Sequence, residues 1–430
     1  MAITVMAMGM GMNTANLPHD RGLMQARPVG VARWLRIIGI GVPTLAAAAI
    51  SVAVSYAAVM QRQAPAQALA LWPSSEAKAG LAAKLLTQPD HDGSYARASR
   101  LAQAALQRDP MSVRAASTLA FLAAEKSDAG QAARLLAYSE QLSRRDLPTQ
   151  LALIETKVQA NDVVGALVHY DRALRTSKTS EAILVPVLVS AVANPDIARP
   201  LAPLLAARAD WWKPFTLQMI QQDTPPVSSY TLLHPLKLDI RRADERAMAV
   251  DAMQRMAGHG RVDLAARFYT ELRGGHIGPF NRIHDGGFRS TDRLPPFDWD
   301  LTNSGDLSAT VEARPDGKGN GLFLVATNGA SGRVARQLLM LPPGRYVLSF
   351  DLDLPPSGSR LTASARCNGL DTPLAFVRPV AAEKTQRIVM PFVTSTACRS
   401  VWIEFSAQAS ERMDTGAPWI GAVSVAPRSS

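Results

Sequence analysis

Hydrophobic and polar positions change their rhythm twice along this chain. From Ile37 to Met60 the run IIGIGVPTLAAAAISVAVSYAAVM carries no charged side chain over 24 residues. As a helix it is about 36 Å long, enough for the ~30 Å hydrocarbon core of a bilayer. From residue 76 to 275 small and apolar residues recur at helical spacing in an alanine-rich text, which predicts a series of packed helices. After Gly274-Gly275 short alternating runs take over: LSATVEA, NGLFLVAT, RVARQLLML, RYVLSFDLDL, RLTASARC, TQRIVMPFVT, RSVWIEFSAQ and PWIGAVSVAP. Turn clusters such as RPDGKGNG, LPPGR, PPSGS and CNGLD separate them, and short strands between turn signals predict a β-sandwich or jelly roll.

The pattern divides the chain into a polar, unstructured tail (1–36), an apolar span (37–60), an Ala/Pro/Gln/Ser-rich spacer (61–75), a helical domain (76–275) and a sandwich (276–430). The fold class expected is α plus all-β and multidomain. Arg33 and Arg36 flank the span, with Trp34 between them. The positive-inside rule then leaves the tail in the cytoplasm and residues 61–430 across the membrane. This reads as a single-pass inner-membrane protein with a periplasmic body. The alternatives are a cleaved signal peptide, whose apolar region is usually shorter, and a buried helix.

Within the helical part Asp128, Asp162 and Asp196 recur at an interval of 34 residues. Ala132 and Ala166 follow four residues on, and Ser139, Ala173 and Ala207 eleven residues on; Ala98 and Ala105 hold the same offsets one period earlier. A period of about 34 is that of tetratricopeptide repeats, two helices per unit. Small residues suit close helix crossings. The usual aromatic and glycine positions are mostly absent, so an unrelated helical bundle is the alternative. Trp211-Trp212 interrupts the pattern as an exposed platform or, the more ordinary outcome for large aromatics, as packing.

The net charge of +10 comes from 46 Lys+Arg against 36 Asp+Glu and is spread along the chain. No dense basic run with interleaved aromatics marks a nucleic-acid footprint, so no nucleic-acid partner is expected. HExxH, G-x-S-x-G and GxxxxGK[ST] are absent, which removes the common hydrolase and nucleotide signatures. The seven histidines, His19, His91, His169, His234, His259, His276 and His284, are scattered. Asp298/Asp300 and Asp351/Asp353 each sit at alternate positions, so each pair shares a face if in a strand. Such spacing fits glycosidase carboxylates and equally any solvated strand, and no catalytic residue, cofactor or metal is assigned.

The run NRIHDGGFRSTDRLPPFDWDL resembles the opening of carbohydrate-binding-module-type jelly rolls, through Asn281, Asp285, Gly286, Gly287, Phe288 and Trp299. Together with GLFLVAT, RQLLMLPPGRYVLSFDL and the helical middle, it is similar to bacterial membrane-linked tetratricopeptide proteins of exopolysaccharide-associated clusters. In such modules a Glu following Gly-Gly-Phe commonly helps hold calcium; here Arg289 stands in its place, a cation opposing that site. The resemblance makes Trp299 a core residue and leaves Trp402 or Trp419 as candidate platforms for sugar rings.

Cys367 and Cys398 are the two cysteines. An oxidising compartment and an even count favour a disulfide over two buried thiols. The function expected is a non-enzymatic, membrane-anchored envelope scaffold. Its solenoid would take protein partners and its sandwich would bind polysaccharide or pack on the solenoid, in exopolysaccharide assembly or export. The competing readings are a polysaccharide-modifying enzyme and an envelope-assembly adaptor without glycan contact. A third acidic residue converging with Asp351 and Asp353 in a cleft would favour the enzyme.

Overall fold

The computed structural model describes residues 50–56, 58–60, 63–87, 93–275, 280–355, 360–409 and 417–428. The expected tail, 1–36, and residues 37–49 of the apolar span lie outside them, as do His19, His91 and His276. Residues 50–56 and 58–60 are helical. Among the described residues no helix is long and apolar enough to cross a membrane. That finding overturns the single-pass inner-membrane localisation.

Two compact units meet in sequence between Leu122 and Ala123. The first contains helices α1 (Pro65–Leu71), α2 (Ser75–Leu86), α3 (Ser94–Arg108) and most of α4 (Val113–Glu125). Pro65 opens α1 inside the expected spacer, its fixed φ suiting a first helical turn. Ser74 caps α2, accepting a hydrogen bond from the Ala77 N–H at 3.0 Å. The core is made of small side chains: Ala79, Ala82, Ala98, Ala102, Ala105 and Ala115 are all fully buried. With little side-chain volume between them, the helix backbones approach closely.

The second unit begins with α5 (Ala129–Leu142), α6 (Leu147–Gln159), α7 (Val163–Thr176), α8 (Lys178–Ala191), α9 (Pro195–Ala206), α10 (Trp212–Gln221) and α11 (Pro226–Leu233). A short 3₁₀ turn, His234–Leu236, leads to α12 (Ala243–Gly258) and α13 (Val262–Leu272). Asp128 and Asp162 cap α5 and α7, each carboxylate accepting from the N–H three residues on, at 2.9 and 2.8 Å. Ala132, Ser139, Ala166 and Ala173 are buried behind them. The third period departs. Asn194, not Asp196, caps α9, and Ala207 is exposed. Pro195 starts this helix before Asp196, and the buried face becomes Ala198, Leu201, Ala202 and Leu205. Trp211 and Trp212 are interior, and the Trp211 indole donates to Asp171 at 2.9 Å.

Each of the eight alternating runs is a strand: β3 (Leu307–Ala313), β4 (Asn320–Ala326), β5 (Ser331–Met340), β6 (Gly344–Asp353), β7 (Arg360–Cys367), β9 (Gln386–Thr394), β10 (Ser400–Gln408) and β11 (Trp419–Pro427). Short strands β1 (Asp300–Leu301), β2 (Asn303–Ser304) and β8 (Pro373–Val377) complete the sandwich. The antiparallel sheets run β1-β5-β10-β7-β8 and β2-β3-β4-β11-β6-β9. Between them lie Phe288, Trp299, Phe350 and Phe405, each at most 1% exposed.

The helices and the sandwich share one apolar cluster. Leu294, Phe297, Leu338 and Trp402 join the cluster formed by α6–α13. Tyr269 of α13 meets Phe280 and Phe297 with ring centroids at 5.8 and 5.4 Å. Asn368 donates to the Ala257 carbonyl at the end of α12 at 2.7 Å.

Cys367, ending β7, and Cys398, just before β10, form a disulfide with Cα atoms 5.6 Å apart. The bridge staples neighbouring strands, for Val401 pairs with Cys367. Cys398→Ser should cost about 3 kcal/mol by loop-closure entropy, read as a lower urea midpoint. Because helices and sandwich share a core, the loss is expected in one transition of the second unit. Unchanged stability, or loss confined to sheet signals, would contradict this.

Candidate functional site

The Asp-Gly-Gly-Phe motif builds a turn. Asp285 has a positive φ of 53°. Its carboxylate accepts from the Arg289 and Ser290 N–H groups at 2.7 and 2.8 Å, and its carbonyl accepts from the Trp299 indole at 3.1 Å. A Cβ on Gly286 would lie 1.9 Å from the Val423 carbonyl oxygen, and the Gly286 carbonyl accepts from the Val423 N–H at 2.9 Å. Only glycine permits that approach. Phe288 and Trp299 stack in the core at 5.4 Å. Asn281 and Arg289 are exposed. The motif therefore closes the sandwich against β11. Among the described residues no three His, Cys, Asp or Glu gather to hold a metal.

Asp298, 5% exposed, ties this turn to the helices. Its carboxylate accepts from Tyr269 Oη (2.9 Å), Arg273 Nη2 (2.6 Å), His284 Nδ1 (2.7 Å) and the Leu294 N–H (2.7 Å). Burial raises its pKa, but the hydrogen bonds, led by that of His284, outweigh burial and hold it below the usual carboxylate range. The same bond raises the His284 pKa against desolvation. Burial, then the Asp298 charge, pushes the Tyr269 phenol well above its ordinary range. Asp298 does not pair with Asp300, which is held by Arg336 Nε at 2.9 Å.

The open surface lies on the outward face of the five-stranded sheet. Paired residues share a face, and the register sets Asp300, Arg336, Glu404, Ser364 and Phe376 in one row across all five strands. A row to one side holds Leu338, Trp402 and Arg366; a row to the other holds Arg333, Ser406 and Thr362. The first of these rows is partly covered. Leu338 and Trp402 belong to the helical core, and Trp402, 6% exposed, donates its indole N–H to Asn368 at 2.9 Å. Trp402 is therefore not an exposed platform. Neither is Trp419, 3% exposed beneath Arg314.

On this face the exposed aromatic is Phe376, at 57%, with the Arg378 guanidinium 5.5 Å from its ring centroid. Beside it Arg366 grips Glu404 with two hydrogen bonds, at 3.0 and 2.7 Å. The exposed ring, with Ser364 paired to it and the Arg378 guanidinium beside it, offers a stacking surface and polar neighbours. Sequence reasoning passed over Phe376 because PLAFV is too short to stand out as a strand. The available signal was Pro373 opening that run, since proline in a sheet marks an edge, and an edge strand leaves its outward side chains uncovered.

Two further polar recesses exist. A cleft of about 540 Å³ gathers Asp351 and Asp353 with Asp316 and Glu383, between Arg314 and Arg387. Asp351 accepts from Arg314 at 3.1 Å and from Arg387 at 2.8 Å. A groove of about 430 Å³ on α5–α7 is lined by Glu140, Arg144, Lys157, His169 and Arg172. His169 is buried there with its Nδ1 2.9 Å from Gln150 Oε1, and desolvation lowers its pKa.

No family model matches this chain, and no curated protein matches it. Among solved structures it is similar to carbohydrate-binding modules. A family 11 module of a Clostridium thermocellum cellulosomal cellulase shows 15% identity and a TM-score of 0.24, the match covering 36% of this chain and 96% of that one. A module of a Cellvibrio mixtus lichenase, solved with cellotriose, shows 13% identity and a TM-score of 0.21, covering 30% and 93%. An enzymatically active tailspike domain of bacteriophage CBA120 shows 15% identity and a TM-score of 0.28; the match covers 35% of this chain but 22% of the tailspike domain.

The Asp298–His284 bond has a signed pH dependence. The raised His284 pKa gives stability that is full below about pH 6.5, the ordinary imidazole value, and is lost as pH rises through the folded-state value. The lowered Asp298 pKa gives stability present above about pH 3.9 and lost as pH falls through its folded-state value. His284→Gln should therefore lower the melting temperature most between about pH 4 and 6.5, the gap to wild type narrowing at higher pH. Thermal melts from pH 4 to 9 test this; a gap independent of pH would refute it.

Proposed function

We propose that this protein is a non-enzymatic glycan-binding scaffold. Its sandwich holds polysaccharide on the outward face of the five-stranded sheet, and its helices receive protein partners during exopolysaccharide assembly or export. The observation that carries the glycan half is the row ending in Phe376, where a ring 57% exposed lies in line with Ser364 and beside Arg378. Sugar rings need both, an apolar face to stack on and hydrogen-bond partners for their hydroxyls. The scaffold half reads the helices as tetratricopeptide-like. Supporting it are the caps Asp128 and Asp162, with buried small residues at matching offsets, and the charged groove on α5–α7.

The cleft at Asp351 favours a second reading, a polysaccharide-modifying enzyme, because Asp316 and Glu383 join Asp351 and Asp353 there. Against it, both Asp351 oxygens already accept hydrogen bonds, from Arg314 and Arg387, so the carboxylate is engaged by the protein rather than open to a glycosidic oxygen.

Affinity electrophoresis of the full chain through gels containing bacterial exopolysaccharides separates these readings. Retardation is expected, with Phe376→Ala weakening it about tenfold from lost stacking and burial, and with no reducing sugar released over a long incubation. Steady release of reducing ends, abolished by Asp353→Asn, would favour the enzyme. Absence of retardation in every gel would remove the glycan half.

A further inference from the structure

The charge on the outward face of the five-stranded sheet is unbalanced in a specific way. Four guanidinium groups, Arg333, Arg336, Arg360 and Arg366, share this face with two carboxylates, Asp300 and Glu404. Both carboxylates are already engaged. Glu404 receives two hydrogen bonds from Arg366, and Asp300 receives one from Arg336. Arg333 differs: its ion pair is a 3.8 Å approach to Glu404, and its side chain is 41% exposed. Desolvation and then the neighbouring Arg336 charge lower its pKa, so a further anion beside it relieves like-charge crowding.

We infer that this face selects an acidic glycan, Arg333 binding a uronate carboxylate while Phe376 supports a sugar ring of the same chain. The inference rests on the glycan-binding reading above and names its ligand class. Arg333 on β5 and Phe376 on β8 are separated by two intervening strands, about 14 Å at normal strand spacing, a distance that a few linked sugar rings cover. The guanidinium fork matches a carboxylate's two oxygens. The cations form a compact group on strands, unlike the extended basic stripe of a polynucleotide site.

The test uses the full chain and two defined probes of similar length, oligogalacturonate and uncharged galacto-oligosaccharide, titrated by calorimetry at low and moderate salt. Wild type should bind the acidic probe at least about fivefold tighter, with the advantage shrinking as salt rises. Arg333→Gln should lose roughly three- to tenfold for the acidic probe alone, and Arg333→Lys should recover part of that. Phe376→Ala should weaken both probes. Thermal melts confirm that each variant is folded. Equal wild-type affinity for the two probes overturns the acidic preference and leaves glycan binding standing. Binding of neither probe overturns both. Arg333→Gln binding like wild type removes Arg333 as the anchor. Equally tight binding of dextran sulfate or single-stranded DNA reduces the face to an unselective anion exchanger and overturns the inference.

Discussion

The buried carboxylate of Asp298 is the interaction on which the second unit is organised. An ionised group taken out of water costs several kcal/mol unless its lone pairs are filled. Here four donors fill them, and they come from different places in the chain: Tyr269 and Arg273 on α13, and His284 and the Leu294 N–H in the segment that opens the sandwich. None of these groups can be placed without the others. The arrangement therefore couples the end of the helical series to the start of the sheets. The aromatic packing of Tyr269 on Phe280 and Phe297 reinforces the same junction.

That junction decides which part of the sandwich is available. Docking brings Leu338 and Trp402 into the helical core and places Asn368 against the end of α12. One end of the outward face becomes interior, and its tryptophan is spent on packing. The remainder keeps Glu404, Ser364 and Phe376 in line with Arg336, with Arg333 beside them. The sandwich serves two purposes on one sheet, an internal interface and an open polar surface with an exposed ring at its edge.

The Gly-Gly-Phe turn shows the same economy of roles. Asp285 spends its carboxylate on two backbone N–H groups, Gly286 admits the β11 backbone, and Phe288 and Trp299 fill the core. Asp285, Gly286, Phe288 and Trp299 go into closing the sandwich, and the exposed ring of Phe376 lies on a strand distant from them in sequence.

Periodicity was sufficient for the element types. Alternation marked the strands because most of them, β6, β7 and β9 above all, have one dry face and one more open face, and recurrent alanines marked helices that pack closely. The 34-residue recurrence of Asp128, Asp162 and Asp196 was legible along the chain; that Asp128 and Asp162 cap helices, while Asn194 takes that role ahead of Pro195, is what the structure adds. The apolar run at 37–60 misled about localisation: among the described residues no helix is long and apolar enough to cross a membrane. The burial of Trp402 and Trp419, the exposure of Phe376 and the gathering of four donors on Asp298 could not be read along the chain. Each depends on which strands become neighbours and where the helices rest. Residues 300, 336, 404, 364 and 376 fall in one row only through strand register, and the partners of Asp298 come together only through docking; both are set by long-range packing rather than by any local pattern.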